Sequence, residues 1–426
     1  MFFKRNSLNA YRLFLLQSAI HGLAWGCIVT INLVYQVEIV RLNPLQLVLV
    51  GTMLETVAFI SQIPTGVLAD VYSRRLAVVV GFFLMGIGFL LEGLVPRFDT
   101  VLVSQVFWGV GITFIDGARE AWIASEVGEE AVGRAFLHGS QVYRIVYLLA
   151  IPVSVALATI RLNLPIIVGA GIFLLLSLLL LLVMPENNFV PTPREERGSW
   201  RQMGAMLATS GKAIWRSPTL LIIMAITFCN GMGSEGFDRL QTDHFIQDFS
   251  FPALGHLQPV IWFGIMSAVG TLLIIGTTEL VRRYIDINNH RAIVYTLFAF
   301  NVLLLVSVVT FGLAGNFFIA LVAYWSASVF RQADMPIYMT WLTRNSDPKM
   351  RATIISMAGQ SDAIGQITGG PVIGLVGTFA SLRAAIVTTG LILTPNVFLF
   401  ARALRKDKDI AAVVADEEDS KPATML

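Results

Sequence analysis

Long apolar stretches separated by short polar ones run through the whole of this chain. Each stretch is long enough to cross a bilayer, because about 20 residues of helix span the hydrocarbon core. The pattern predicts an all-α membrane protein with twelve transmembrane helices, at residues 11–39, 45–68, 76–96, 99–121, 135–160, 163–184, 219–245, 258–281, 291–313, 316–343, 351–377 and 380–403.

A longer polar segment separates the first six spans from the last six. Residues 185–218 are rich in Pro, Arg and Glu, which predicts a linker. The chain would then consist of an N-terminal six-helix half, residues 1–184, and a C-terminal six-helix half, residues 219–403. Residues 404–426 are polar and of mixed charge, and we expect a disordered tail there.

The sequence of the linker is compatible with two structures, a surface helix and a disordered tether. Four apolar side chains share one helical face, at Trp200, Met203, Leu207 and Ile214. This pattern fits a short helix lying on the membrane surface, and the composition fits a disordered tether equally well.

Lysine and arginine are distributed unevenly between the two sides of the predicted membrane. Of the 30 Lys and Arg residues, 23 lie in the predicted inner segments, and the predicted outer segments, including the outer ends of spans, hold only Arg41, Arg97, Arg161, Arg239 and Arg383. Cytoplasmic loops are enriched in Lys and Arg, so the asymmetry predicts that both termini and the linker are cytoplasmic.

The composition supports a membrane protein and excludes several other classes. The chain is 55% hydrophobic and 14% charged, whereas soluble domains have about 25% charged residues. The sequence contains no metal-ligand cluster, no nucleophile with a matching base and no phosphate-binding loop, so we predict no metal, no cofactor and no enzymatic activity. Basic residues follow the topology and form no face for nucleic acid.

Two carboxylates near the middle of predicted spans are candidates for proton coupling. They are Glu55 in the second span and Asp362 in the eleventh. A charge left in lipid costs at least about 3 kcal/mol, so such residues face the bundle interior, a partner or water. No basic residue lies within helical reach of Glu55, so its carboxyl could be neutral through desolvation. Protons are therefore an expected partner.

Other polar residues at membrane depth are candidates for a cavity or a charge network. Opposite charges lie three or four residues apart in spans seven and ten, which also fits simple structural pairing. A satisfied core histidine is the alternative for the histidine in span one. The full set is His21, Arg144, Glu235, Asp238, Arg239, Arg331 and Asp334.

The short loop between spans two and three carries a conspicuous motif. It reads Pro64-Thr-Gly-Val-Leu-Ala-Asp-Val-Tyr-Ser-Arg-Arg75. Gly66 would let a neighbouring helix approach closely, and Asp70 stands at the water boundary, where a carboxylate can pair with an arginine. In this position the segment resembles the loop signature of the major facilitator superfamily.

That resemblance implies a fold and a conformational switch. In this family the loop latches onto neighbouring helices while the transporter is open to the outside. The implied cytoplasmic latch consists of Asp70, Arg74 and Arg75, and the end of span four offers acidic partners. The latch candidates are Gly66, Asp70, Arg74, Arg75, Asp116, Arg119 and Glu120.

Span eleven is rich in glycine and contains a proline. Glycines allow close helix packing, and proline allows bending. In drug–proton antiporters of this superfamily a Gly-Pro segment is expected in span five, where this chain has Ala150-Ile-Pro152, and Gln105 stands where a span-four arginine is expected. The packing and bending candidates are Gly365, Gly369, Gly370, Pro371 and Gly374.

Several segments also resemble the bacterial macrolide- and tetracycline-exporter-like branch. They include Gly117-Ala-Arg-Glu-Ala-Trp122, Gly133-Arg-Ala135, Glu235-Gly-Phe-Asp-Arg-Leu240 and Arg351-Ala-Thr353. The resemblance implies a secondary active transporter of the bacterial inner membrane. It would export a small hydrophobic or amphipathic compound, such as a drug or antibiotic, by proton antiport with alternating access. We expect a monomer surrounded by membrane lipid.

Two other functions stay open. An uncoupled facilitator, or a symporter for a small metabolite, would be favoured if transport were indifferent to a pH gradient. A membrane receptor or scaffold that has lost transport is the third possibility, and the intact latch residues argue against it.

Overall fold

The computed structural model describes residues 9–191, 209–253, 258–286 and 289–419, and these are almost entirely helical. The helices of ten or more residues are α1 (Ala10–Glu38), α2 (Pro44–Val71), α3 (Arg74–Leu94), α4 (Phe98–Ile115), α5 (Ala118–Val127), α6 (Glu129–Ile160), α7 (Leu164–Val183), α8 (Pro218–Asp248), α9 (Val260–Tyr284), α10 (His290–Leu313), α11 (Phe317–Arg344), α12 (Arg351–Phe379) and α13 (Leu382–Asp419).

Each predicted span falls on one of these helices, or on α4 and α5 together for the fourth span. Within the described residues, 10 stretches are long and apolar enough to cross a membrane by length and composition alone. The remaining two spans, α11 and α12, are just as long but carry charged residues at mid-length, including Arg331 and Asp362. The prediction of an all-α, multi-pass membrane protein is confirmed.

The fourth predicted span, 99–121, is interrupted in the structure. α4 ends at Ile115, and the N–H of Asp116 donates to the carbonyl of Ile112 over 2.8 Å. Gly117 then adopts a φ of 78°, which L side chains rarely adopt, before α5 begins. The adjacent Asp and Gly are the sequence signal for this break.

Polar residues fix the start of several helices. Asn43 accepts a hydrogen bond from Gln46 N over 2.9 Å, and the Gln46 side chain accepts one from Asn43 N over 3.0 Å. Ser73 Oγ accepts from Leu76 N over 2.9 Å at the start of α3. These caps satisfy backbone N–H groups that have no partner inside the helix.

The chain divides into two compact units. Unit 1 comprises Met1–Gly198, Asp238–Thr271 and Gly370–Leu382, and unit 2 comprises Ser199–Phe237, Leu272–Gly369 and Arg383–Leu426. The halves 1–184 and 219–403 stay a prediction.

Unit 1 is organised around an aromatic core. α1 packs against α6 and α7, and α3 packs against α4 and α7. Phe82, Phe89, Phe173 and Trp122 are almost completely buried there. Small residues let these helices approach closely, as is usual in membranes.

Unit 2 has its own core. α10 packs against α11, and Trp341 stacks at a tilt against Phe400 with ring centroids 5.6 Å apart. Ile223, Leu297 and Ile354 are fully buried in the same cluster. This core supports the cavity described below.

Two predicted polar segments are partly described. α13 continues to Asp419, although the sequence predicts a disordered tail from residue 404; Ala, Lys and Glu there are strong helix formers. Residues 209–216 of the linker are helical. The predicted apolar face at Trp200, Met203 and Leu207 lies outside the described residues.

Candidate functional site

A cavity of about 440 Å³ lies within unit 2. Helices α8, α10, α11, α12 and α13 form its walls. The lining combines apolar, polar and charged side chains, with Thr227, Asn230, Gly233, Ser234, Phe237, Leu304, Val308, Arg331, Gln332, Asp334, Met335, Tyr338, Met339, Ile355, Ala358, Gly359, Asp362, Gln366, Thr389 and Leu393.

Three charged side chains line this cavity. Arg331 and Asp334 lie one turn apart on α11, and Asp362 lies on α12. The Asn301 side chain and the Arg331 guanidinium are both near enough to act on the Asp334 carboxylate. Gln366 Nε2 donates to Asp362 Oδ2 over 2.8 Å. A cavity with two carboxylates and a guanidinium can bind a polar ligand and can exchange a proton.

Neutral polar groups complete the polar part of the lining. The hydroxyls of Thr227 and Tyr338 form a short hydrogen bond between α8 and α11. Asn396 Nδ2 donates to Asn230 Oδ1 over 2.6 Å. These pairs hold three helices in register around the cavity and leave further donors and acceptors for a ligand.

Glycines bring α8 and α12 into backbone contact beside the cavity. A Cβ on Gly231 would overlap the carbonyl oxygen of Asp362, and a Cβ on Gly365 would overlap that of Phe228. Ser361 Oγ also donates to Met224 O over 3.1 Å. The contact fixes the position of Asp362 along α12 relative to α8, and therefore where Asp362 faces the cavity.

The other residues predicted to allow close packing or bending differ in how closely a neighbouring helix approaches them. A Cβ on Gly369 would lie 2.5 Å from the carbonyl oxygen of Met232, and one on Gly374 would lie 3.0 Å from Leu45 Cα within unit 1. Pro371 lies inside α12, next to Gly370. At Gly66 an added Cβ would meet no described atom within 4 Å. That end of α2 is largely exposed, so the expectation that Gly66 allows close helix approach stays a prediction.

The remaining predicted membrane charges lie outside this cavity. Glu55 is half-buried on α2 in unit 1, and Arg144 is exposed on α6. On α8, Glu235 is buried, whereas Asp238 and Arg239 are half-buried. The structure therefore brings Arg331, Asp334 and Asp362 together and leaves the others elsewhere.

His21 lies in an aromatic surrounding in unit 1. Its ring centroid is 5.2 Å from that of Tyr143, 5.4 Å from Phe82 and 5.8 Å from Phe173. Its Nδ1 atom is buried and has no hydrogen-bond partner among the described residues. The imidazole thus packs as an aromatic ring.

The predicted latch residues form short-range contacts. Arg74 Nη2 lies 3.4 Å from Asp70 Oδ1, and Arg74 Nη1 donates to Ala121 O over 3.2 Å. Arg119 Nη2 lies 3.1 Å from Glu120 Oε1. Asp116 is exposed.

Sequence reasoning missed the acidic residue that holds the same loop. Glu186 accepts hydrogen bonds from Ser73 Oγ over 2.6 Å and from Arg75 N over 3.0 Å. The Arg75 guanidinium also donates to Leu181 O. Glu186 follows Pro185 directly after α7, where a sequence pattern shows a linker and not a cap for another helix.

A second missed carboxylate is Glu92. It is fully buried near the end of α3 and is hydrogen-bonded by Gln36 and Ser104. It lies within the predicted span 76–96, so its position at membrane depth could have identified it from the sequence. Its partners on α1 and α4 become visible only in the fold.

Comparison with known proteins identifies the family. Residues 14–313, more than half of the chain, match the family model described as Major Facilitator Superfamily. The chain belongs to the Major Facilitator Superfamily. Transport across a membrane is therefore its class of function, and the family points away from an enzyme.

Individual members of the superfamily are similar along nearly the full length. The "Uncharacterized MFS-type transporter YxaM" of Bacillus subtilis (strain 168) is 22% identical over 403 residues, which are 92% of this chain and 96% of the relative. A mutant of the nucleoside transporter NupG matches with a TM-score of 0.74 at 15% identity, over 93% of this chain and 99% of that one. A mutant of a peptide transporter POT in complex with sulfate matches with a TM-score of 0.71 at 16% identity, over 93% and 94%.

At these identities the similarity to the solved structures is one of fold. The predicted major facilitator fold with twelve transmembrane helices is confirmed. The narrower drug-exporter branch, the substrate and the coupling ion stay predictions.

Proposed function

We propose that this superfamily member exports a small hydrophobic or amphipathic compound, such as a drug or antibiotic, by proton antiport. The observation that carries the proposal is the cavity of about 440 Å³ in unit 2, where Arg331, Asp334 and Asp362 share the lining with a larger number of apolar side chains. A pocket of a few hundred Å³ that combines apolar side chains with polar groups suits a small amphipathic ligand.

In the proposed cycle, substrate and proton compete for the same cavity. Apolar parts of the compound pack against residues such as Phe237, Leu304 and Met335, and its polar groups meet the deprotonated Asp362. Protonation of Asp362 removes that attraction and releases the compound. A ligand and a proton that favour different states shift the balance between them, which is the requirement for alternating access.

The moving bodies we propose are the halves 1–184 and 219–403, joined by the linker 185–218. The Asp70–Arg74 pair would form part of the latch that biases one state. We further propose a monomer in the bacterial inner membrane, with the linker and both termini, including the tail 404–426, in the cytoplasm.

A second candidate is a symporter or facilitator for a polar metabolite. It is favoured by the hydroxyls and amides of the cavity, at Thr227, Tyr338, Asn230 and Gln366. The fold neighbours named as nucleoside and peptide transporters also favour it. In this case Arg331 would bind an anionic or hydrogen-bonding substrate.

Reconstituted protein distinguishes the two candidates. The full chain is placed in liposomes with an internal pH dye and an imposed pH gradient, and is challenged with hydrophobic antibiotics, dyes, nucleosides and dipeptides. Antiport predicts that a hydrophobic compound collapses the gradient while it moves against the proton. Movement of a nucleoside or dipeptide in the same direction as the proton would establish the second candidate. Transport of a compound at a rate that does not depend on the pH gradient would contradict proton coupling.

A further inference from the structure

A buried carboxylate in unit 1 has no role in the proposed cycle. Glu92 on α3 is fully buried. Gln36 Nε2 on α1 donates to its Oε1 over 2.8 Å, and Ser104 Oγ on α4 donates to its Oε2 over 2.7 Å. The Tyr35 hydroxyl donates to the Glu92 backbone carbonyl over 2.7 Å. Three helices thus meet around one carboxylate.

The amides around Glu92 each leave an oxygen unused. Gln36 Oε1, Gln105 Oε1 and Asn32 Oδ1 are buried and accept no hydrogen bond from any residue that the structure describes. Gln36 and Gln105 are fully buried, and Asn32 is 8% exposed. Gln105 Nε2 lies 3.5 Å from Glu92 Oε2, and the Asn32 side chain is near enough to act on the same carboxylate. Buried acceptors are nearly always satisfied in folded proteins, so a group of three beside one carboxylate points to a ligand.

A proton on Glu92 would not satisfy these oxygens. A protonated carboxyl has a single O–H donor and can serve one acceptor. A cation, in contrast, attracts several oxygens at once. The available donors are one carboxylate, three amide oxygens and one hydroxyl, which is the oxygen-rich ligand set that hard cations prefer.

We propose that Glu92, Gln36, Gln105, Asn32 and Ser104 form a binding site for Na⁺. A half-turn of an amide exchanges its nitrogen and its oxygen, so amide oxygens can occupy the positions that now lie 2.8 and 3.5 Å from the carboxylate oxygens of Glu92. Oxygens bound to a hard cation at about 2.3–2.6 Å stand about 3–3.7 Å from one another. The observed spacings match that range after shifts of a few tenths of an ångström.

The charge of the surroundings selects a monovalent ion. Glu92 supplies one negative charge, and Arg239 on α8 is near enough for its positive charge to act on Glu92. A second cationic charge weakens binding of every cation and weakens that of a divalent ion most. One carboxylate can balance the charge of Na⁺ in this environment, but it cannot balance the double charge of Mg²⁺ or Ca²⁺.

Ion-dependent stability tests the site without any transport assay. The full chain is purified in detergent with choline chloride, and its thermal unfolding is followed after exchange into NaCl, KCl or fresh choline chloride at equal ionic strength. An ion that binds the folded state raises the Tm. We expect Na⁺ to raise the Tm by about 2–4 °C at ten or more times its Kd and K⁺ to have a much smaller effect. Binding of ²²Na⁺ to the same preparation should saturate.

Matched serine variants place the effect at this site. Ser104→Ala removes one ligand oxygen, and Ser177→Ala removes a comparable buried hydroxyl that donates to Val79 O over 2.8 Å. The Na⁺-dependent Tm shift should fall several-fold in Ser104→Ala, disappear in Glu92→Gln and persist in Ser177→Ala. Equal Tm values in the three salts, absence of ²²Na⁺ binding, or a full Na⁺ effect in both Ser104→Ala and Glu92→Gln would overturn the proposal. These results do not depend on whether the transporter is proton-coupled.

Discussion

The backbone of Gly231 on α8 lies directly against the backbone carbonyl of Asp362 on α12. The cavity carboxylate is therefore positioned by a helix contact that no larger residue at 231 permits. Because both helices line the cavity, packing and site geometry are coupled at this one point.

A methyl group at Gly231 should push the two helices apart. Overpacking of a close contact costs about 1–3 kcal/mol, so Gly231→Ala should lower the Tm of the purified protein clearly. Gly276→Ala on α9 is the control, because a Cβ there meets no described atom within 4 Å, and alanine favours the helix. If both variants unfold at the wild-type temperature, the α8–α12 contact is not as close as described.

The break between α4 and α5 should depend on glycine at position 117. Its φ of 78° is unfavourable for any residue with a Cβ, at a cost of about 1–3 kcal/mol. Gly117→Ala should therefore destabilise the protein or straighten this region, as measured by thermal unfolding. Gly133→Ala is the comparison, since Gly133 lies inside α6 with open space around it. A stabilising effect of Gly117→Ala would show that the fourth span is continuous.

Glu186 should hold the start of α3 in place. It accepts hydrogen bonds from Ser73 Oγ and Arg75 N, and loss of a comparable helix cap costs about 0.5–2 kcal/mol. Glu186→Ala should therefore speed cleavage by trypsin after Arg74 and Arg75. Glu186→Gln keeps one acceptor oxygen, so its cleavage rate should be intermediate. Equal rates in the wild type and both variants would mean that Glu186 does not restrain this loop.

Much of the fold follows directly from the apolar pattern. The predicted span 45–68 corresponds to α2, Pro44–Val71, and 291–313 corresponds to α10, His290–Leu313. These boundaries were predictable because caps and turn residues stand next to apolar stretches of bilayer length. The break at Gly117 was not predicted, although Asp116 and Gly117 signal a turn. They lie near the end of the predicted span 99–121, where charged residues also fit the cytoplasmic end of a continuous helix.

The sequence identifies the charged residues of the candidate site, but it does not show which of them come together in the fold. Arg331, Asp334 and Asp362 were identified because charge at membrane depth is costly. Depth alone does not say which helix face a residue occupies, and Glu55 met the same criterion although it lies in unit 1, outside this cavity. Glu92 and its amide partners come from three different helices, so their contacts depend on tertiary packing that the sequence pattern does not reveal.

In the proposed cycle, substrate and proton compete at Asp362. The most direct test is equilibrium binding of a transported compound to purified protein at two pH values, for the wild type, Asp362→Asn and Glu55→Gln. Competition predicts that the wild type and Glu55→Gln bind more tightly at the higher pH, where Asp362 is deprotonated more often. Asp362→Asn should bind more weakly, with an affinity that no longer changes with pH. If Asp362→Asn keeps the wild-type pH dependence, the proton is carried by another group and the proposed mechanism is wrong.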